Sequence, residues 1–262
     1  MSRSRILALE GIHNFRDYGD YAAGDGGRVK AGVLWRSGQH AGGSPADLAA
    51  VARLGLCTVI DLRGDSEREA FPCLRAPDFE PAVLFAPGET AALRSMAAHA
   101  EAGKGVRTAA DVNEAMDRLY RDLAWRPVLV GTLRLYFEAL AEREGPSLLH
   151  CLAGKDRTGL AAALAHHVLG VHPDDMMADY LLTNEAGDID RRVADARSTM
   201  RNGISPDLDD SALRTLLSVR PEYLTTAFDE IKERHGSVNA YLVDVVHVTP
   251  ERRAAIRARW LE

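Results

Sequence analysis

The run 147–151, Ser-Leu-Leu-His-Cys, reads as a short buried strand, and 158–169 is apolar nearly all round and is stopped by Gly170. A helix without a polar face must sit inside the molecule. The residues between it and the strand therefore form a tight strand-to-helix turn at the edge of a buried sheet. Other short β-rich runs, 33–35, 57–62 and 83–85, alternate with helical patterns at 45–54 (opened by a Ser44 cap), 112–123 and 128–143. These helices are long enough to cross over a parallel sheet, so the fold class expected is α/β, a parallel-rich central sheet flanked by helices.

At 262 residues the chain is read as one domain, 1–262, with insertions. After a further helix at 174–185 the pattern is helical to the end: 188–200, 209–217, 221–234, 238–246 and 250–261. Residues 186–218 form either an ordinary packed appendage or a helical lid. In the second reading Met200, Ile204, Leu208 and Leu216 cover a site, and the break at 203–206 is the hinge. The glycine-rich stretch 24–27 is read as a turn, because it lacks the spacing and context of a dinucleotide-binding loop.

A formal net charge of -6 and no Lys/Arg block argue against nucleic acid as a partner. No run is long and apolar enough to span a membrane, and the stretch before Glu10 is too short for a signal peptide, so a cytoplasmic location is expected. Three cysteines, Cys57, Cys73 and Cys151, are too few and odd in number for a disulfide framework. Cys57, inside an apolar run, is expected to be a buried thiol. Oligomeric state has no signature in the sequence.

Cysteine, five residues, then arginine, between strand and helix, is a way to hold a phosphate dianion. The turn can aim the backbone N–H groups of Leu152, Ala153, Gly154, Lys155, Asp156 and Arg157 inward, and the helix N-terminus adds partial positive charge. Gly154 permits the sharp path. Arg157 can grip two equatorial oxygens with its planar fork, which lysine cannot. The same field favours thiolate over thiol at Cys151. Cys151 is thus the candidate nucleophile and Thr158 a hydroxyl donor to the departing sulfur; the scheme calls for no metal and no cofactor. His150 is expected to shape the loop through hydrogen bonds. His166, His167 and His172 do not have metal-ligand spacing.

The loop His-Cys-Leu-Ala-Gly-Lys-Asp-Arg-Thr-Gly at 150–159 resembles that of the atypical bacterial tyrosine phosphatases, which carry aspartate and lysine inside the phosphate loop. The segments 14–17 (Asn-Phe-Arg-Asp), 34–38 (Leu-Trp-Arg-Ser-Gly), 59–63 (Val-Ile-Asp-Leu-Arg) and 220–224 (Arg-Pro-Glu-Tyr-Leu) are similar to that family's recurring segments. The resemblance implies a phosphatase-type sheet, and a phosphorylated protein (phosphotyrosine or phosphoserine/threonine) or a phosphoinositide as substrate. It implies pocket-bordering roles for Asp61, Arg63, Arg16 and Arg36, and a lysine, Lys155, of the kind that could meet a second phosphate. It also points to Asp156 as general acid, since Trp125-Arg126-Pro127 lacks the aspartate of a Trp-Pro-Asp loop. The rival role for Asp156 is to orient the loop or balance Lys155; Asp61 is the reserve acid. A non-hydrolytic phosphate-recognition module and a rhodanese-like sulfurtransferase are the competing functions, the latter disfavoured by the length of the loop.

Overall fold

The computed structural model describes residues 4–24, 26–90, 108–200 and 208–262. Five strands form one sheet: β1 (Arg16–Asp17), β2 (Leu34–Ser37), β3 (Thr58–Asp61), β4 (Ala82–Leu84) and β5 (Ser147–His150). Their order is β1-β2-β5-β3-β4, with β1 antiparallel to β2 and the other neighbours parallel. The strand leading to Cys151 is thus central. Its residues alternate between two cores. Leu148 packs with Trp35, Val59, Ile12, Phe15 and Val51 on one face, and Leu149 with Leu34, Ile60 and the larger helical core on the other. A sheet covered on both faces needs apolar residues at successive positions, which is why these strands read as continuous apolar runs.

Helix α1 (Pro45–Ala52), with its Ser44 cap, covers the first face. The second is covered by α3 (Ala109–Leu123), α4 (Pro127–Glu142) and α5 (Asp156–Leu169), with α6 (Pro173–Leu181) packed beside α5. Between β3 and β4 lies α2 (Asp65–Ala70), a short helix not anticipated from the sequence; nor was β1. The C-terminal part is helical: α7 (Thr183–Ala186), α8 (Ile189–Met200), α9 (Asp210–Leu217), α10 (Pro221–His235), α11 (Val238–Asp244) and α12 (Pro250–Trp260). The expected helix 174–185 is two pieces, because the chain turns at Leu182 between α6 and α7.

The stretch 24–27 does form a turn, closing the Ala22–Arg28 bridge, with Asp25 outside the described residues. The break at 203–206, Ile204 and the Met200 side chain also lie outside them. Leu208 and Leu216 are partly buried against the main core. Cys57 corrects an expectation: it is exposed, because it precedes β3 at the sheet's amino end, where its N–H already bonds the Pro146 carbonyl (2.8 Å). Among the described residues no helix is long and apolar enough to cross a membrane.

Candidate active site

Cys151 leaves the carboxyl end of the central strand, where His150 stands in register with Ser37 of β2 and Asp61 of β3, and α5 begins at Asp156. This is the edge at which open parallel sheets present their ligand sites. The loop's shape follows from what holds its carbonyls. Gln39 N–H donates to the Leu152 carbonyl (3.0 Å), and Asn14 Nδ2 to those of Ala153 (3.4 Å) and Gly154 (2.6 Å). Arg36 Nη2 also donates to the Gly154 carbonyl (3.2 Å). A trans peptide aims its N–H opposite to its carbonyl, so the N–H groups of Ala153, Gly154 and Lys155 face the other way, and with that of Leu152 they have no protein acceptor among the described residues. Gly154 takes φ +66°, and a Cβ there would lie 2.5 Å from the Ser37 carbonyl, so glycine is required twice over.

Arg157 is set by a residue the sequence reading missed. Glu67 of α2, fully buried, receives Nη2 at 2.7 Å through Oε1 and Nη1 through Oε2; Nη1 also reaches the Leu62 carbonyl (3.2 Å) and Thr90 Oγ1 (3.1 Å). The end of the fork is therefore spent, leaving its Nε/Nη2 edge without a protein partner among the described residues. Burial alone would raise the Glu67 carboxyl, but the Arg157 hydrogen bonds and charge hold it below its usual range. One signal was readable: Glu67 stands three residues after Gly64, the spacing at which a glutamate caps a helix start, and its Oε2 accepts the Gly64 N–H (3.0 Å).

Asp156 is partly exposed at the start of α5. Its Oδ1 accepts from Tyr120 OH (2.7 Å) and lies 3.5 Å from Lys155 Nζ, while Oδ2 makes no hydrogen bond among the described residues. Tyr120 OH is also bonded to Tyr180 OH (2.7 Å), whose ring occupies the space a Cβ on Gly159 would fill. Lys155 turns its ammonium away from the loop, to the carbonyls of Leu216 (2.6 Å) and Ser218 (3.2 Å) at the end of α9; burial lowers its pKa. Thr158 is fully buried, and its Oγ1 has no partner among the described residues.

Each of the three arginines is buried against a carboxylate, and of the three Arg36 touches the loop directly. Arg16 Nε and Arg36 Nη1 meet the two oxygens of Asp179 at 3.3 and 2.6 Å. Burial would raise Asp179, yet the two guanidiniums bring it down to about 2. Arg63 chelates Asp61 at 2.8 and 2.7 Å. Burial opposes ionisation of Asp61, but His150 and Arg63 lower it to about 2, far from the protonated state a general acid needs. The segment Trp125-Arg126-Pro127 opens α4 and supplies no carboxylate.

His150 contacts its neighbours loosely (Nδ1 3.4 Å from the Cys151 carbonyl, Nε2 3.7 Å from Asp61) and its ring lies 5.6 Å from that of His40. Burial, with His150 and Arg63 nearby, pushes His40 down to about 3. Below the unfolded value near 6.5, the unfolded chain binds a proton that folded His40 refuses, so stability falls as pH falls. From pH 6.5 to 4.5 this group alone is expected to cost roughly 2 kcal/mol. Urea midpoints at both pH values should show a smaller acid loss in His40→Asn; an equal loss would clear His40.

A model of the tyrosine phosphatase family matches residues 7–262, nearly the whole chain. The chain belongs to that family. As a protein-tyrosine-phosphatase-like enzyme it has a relative in Cupriavidus necator, named by inference as a tyrosine-protein phosphatase, that is 33% identical over 252 residues (92% of this chain, 84% of the relative). The triple specificity protein phosphatase PtpB of Mycobacterium tuberculosis is 30% identical over 262 aligned residues, covering 91% of this phosphatase and 93% of PtpB. Among solved structures, a cysteine-to-serine variant of P. aeruginosa TpbA in complex with phosphotyrosine aligns at TM-score 0.38 and 22% identity, covering 82% of this chain and 97% of that one.

Proposed function

We propose that this phosphatase hydrolyses phosphomonoesters through a phosphocysteine intermediate, acting on phosphotyrosine and, as the name of the PtpB relative suggests, on more than one class of substrate, phosphoserine/threonine and phosphoinositides included. The observation that carries the proposal is the run of N–H groups from Leu152 to Lys155 beside Cys151, unpaired among the described residues, together with the edge of Arg157 that Glu67 leaves free. Such donors meet the charge on equatorial phosphoryl oxygens, so the scheme needs no metal.

The Cys151 thiolate attacks phosphorus in line, and the bond to the leaving oxygen breaks as Asp156 gives that oxygen its proton. Anchoring Oδ1 on Tyr120 leaves Oδ2 as the proton-carrying atom. Water, losing a proton to the Asp156 carboxylate, then displaces sulfur, which leaves as thiolate while accepting a hydrogen bond from Thr158. Cys151 is only 2% exposed, and Lys155 ties the loop to the end of α9, so α8 and α9 act as a lid that substrate must lift.

A leaving-group series tests this. With Asp156→Asn, kcat for phenyl phosphate should fall about 100-fold and that for p-nitrophenyl phosphate only a few-fold, within the usual range for a general acid. Equal losses on both would make Asp156 a loop-positioning residue, and no turnover of any phosphomonoester by the wild type would favour a binding module.

A further inference from the structure

Among the described residues, the side chain of Arg192 on α8 has no ion-pair partner within 4 Å. Its neighbours are paired: Arg191 with Asp195 (3.9 Å), Arg197 with Asp210, and Arg214 of α9 with Asp190 (2.6 Å). Arg192 is half-buried and its Nη1 is wholly buried, yet that nitrogen has no hydrogen-bond partner among the described residues. An unpaired buried guanidinium nitrogen is costly, so it is expected where a ligand completes it. The place is defined. Asn14, whose side chain holds the Gly154 carbonyl, donates its backbone N–H to the Ala186 carbonyl (2.8 Å) just before α8. The start of α8 is thus held against the loop, and Arg192, in the first turn of α8, lies within electrostatic reach of the Asp156 carboxylate.

The phosphoryl group itself is already served by the loop N–H groups and Arg157. The lysine from which the sequence would supply a second cation is instead turned to the carbonyls of Leu216 and Ser218 and lies 3.5 Å from Asp156 Oδ1. Arg192 lies on the helix docked beside the loop, within electrostatic reach of Asp156, the residue that serves the leaving group in the phosphatase reading. We propose that Arg192 binds a second anionic group, a carboxylate or a phosphoryl, on the leaving part of the substrate, so that doubly anionic phosphomonoesters are preferred. This inference rests on the phosphatase reading above. It also places the contact on the lid, so a doubly anionic substrate would hold α8 down over the loop.

The test compares kcat/KM for phenyl phosphate, 3-carboxyphenyl phosphate and benzene-1,3-diyl bisphosphate by phosphate release. In the wild type at least one doubly anionic compound should exceed phenyl phosphate by about 10-fold, the value of one charge-assisted contact. Which one does so separates a carboxylate from a phosphate as the natural group. In Arg192→Gln the ratio should fall to about 1, and Arg192→Lys should restore part of it. A wild-type ratio near 1 overturns the inference without any variant, as does an unchanged ratio in Arg192→Gln. Turnover of none of the three overturns the phosphatase reading itself.

Discussion

Cys151→Ser is expected to lower kcat for p-nitrophenyl phosphate by at least about 10⁴-fold, because a hydroxyl in place of the sulfur is not ionised at neutral pH and cannot form the intermediate. Binding should survive. The N–H groups of residues 152–155, unpaired among the described residues, and the free edge of Arg157 do not depend on the sulfur. Titration calorimetry with phosphotyrosine should therefore give a Kd within a few-fold of the wild type. Retained turnover in the serine variant would sink the phosphocysteine mechanism.

Arg157→Lys should cost about 10³-fold in kcat/KM, comparable to losing a preorganised donor aimed at developing charge. The end of the guanidinium meets both oxygens of Glu67, and its side edge, without a partner among the described residues, is the part proposed to hold the phosphoryl group. An ammonium is a point charge without a fork, so it cannot fill both places. Glu67, fully buried, would keep only part of its partnership, and stability should drop by about 1–3 kcal/mol. Kinetics with p-nitrophenyl phosphate and a urea titration measure the two effects. A lysine variant with near-normal activity would mean that Arg157 only balances Glu67.

Much of this was legible in the sequence because it is local. The strand at 147–150, the turn with Gly154 and the apolar helix that Gly170 ends are contiguous, and each obeys a short-range rule of periodicity or steric freedom. Ser44 and its helix were readable for the same reason. β1 was missed because two residues carry no period, and α2 because six residues rich in charge look like a loop.

The partners were a different matter. That Arg16 and Arg36 share Asp179, more than a hundred residues away in sequence, follows from the β1–β2 register and the packing of α6, neither of which a residue type announces. The same is true of Tyr120 on Asp156 and of Lys155 on the last carbonyls of α9. By itself the sequence determined the loop, its cysteine and arginine, and the α/β class, since these depend on neighbours within a few residues. Only the tertiary structure decided which charges are spent on the fold and which, at Arg157 and Arg192, keep part of the guanidinium without a partner among the described residues, because that depends on which distant carboxylates come within hydrogen-bond distance of each cation.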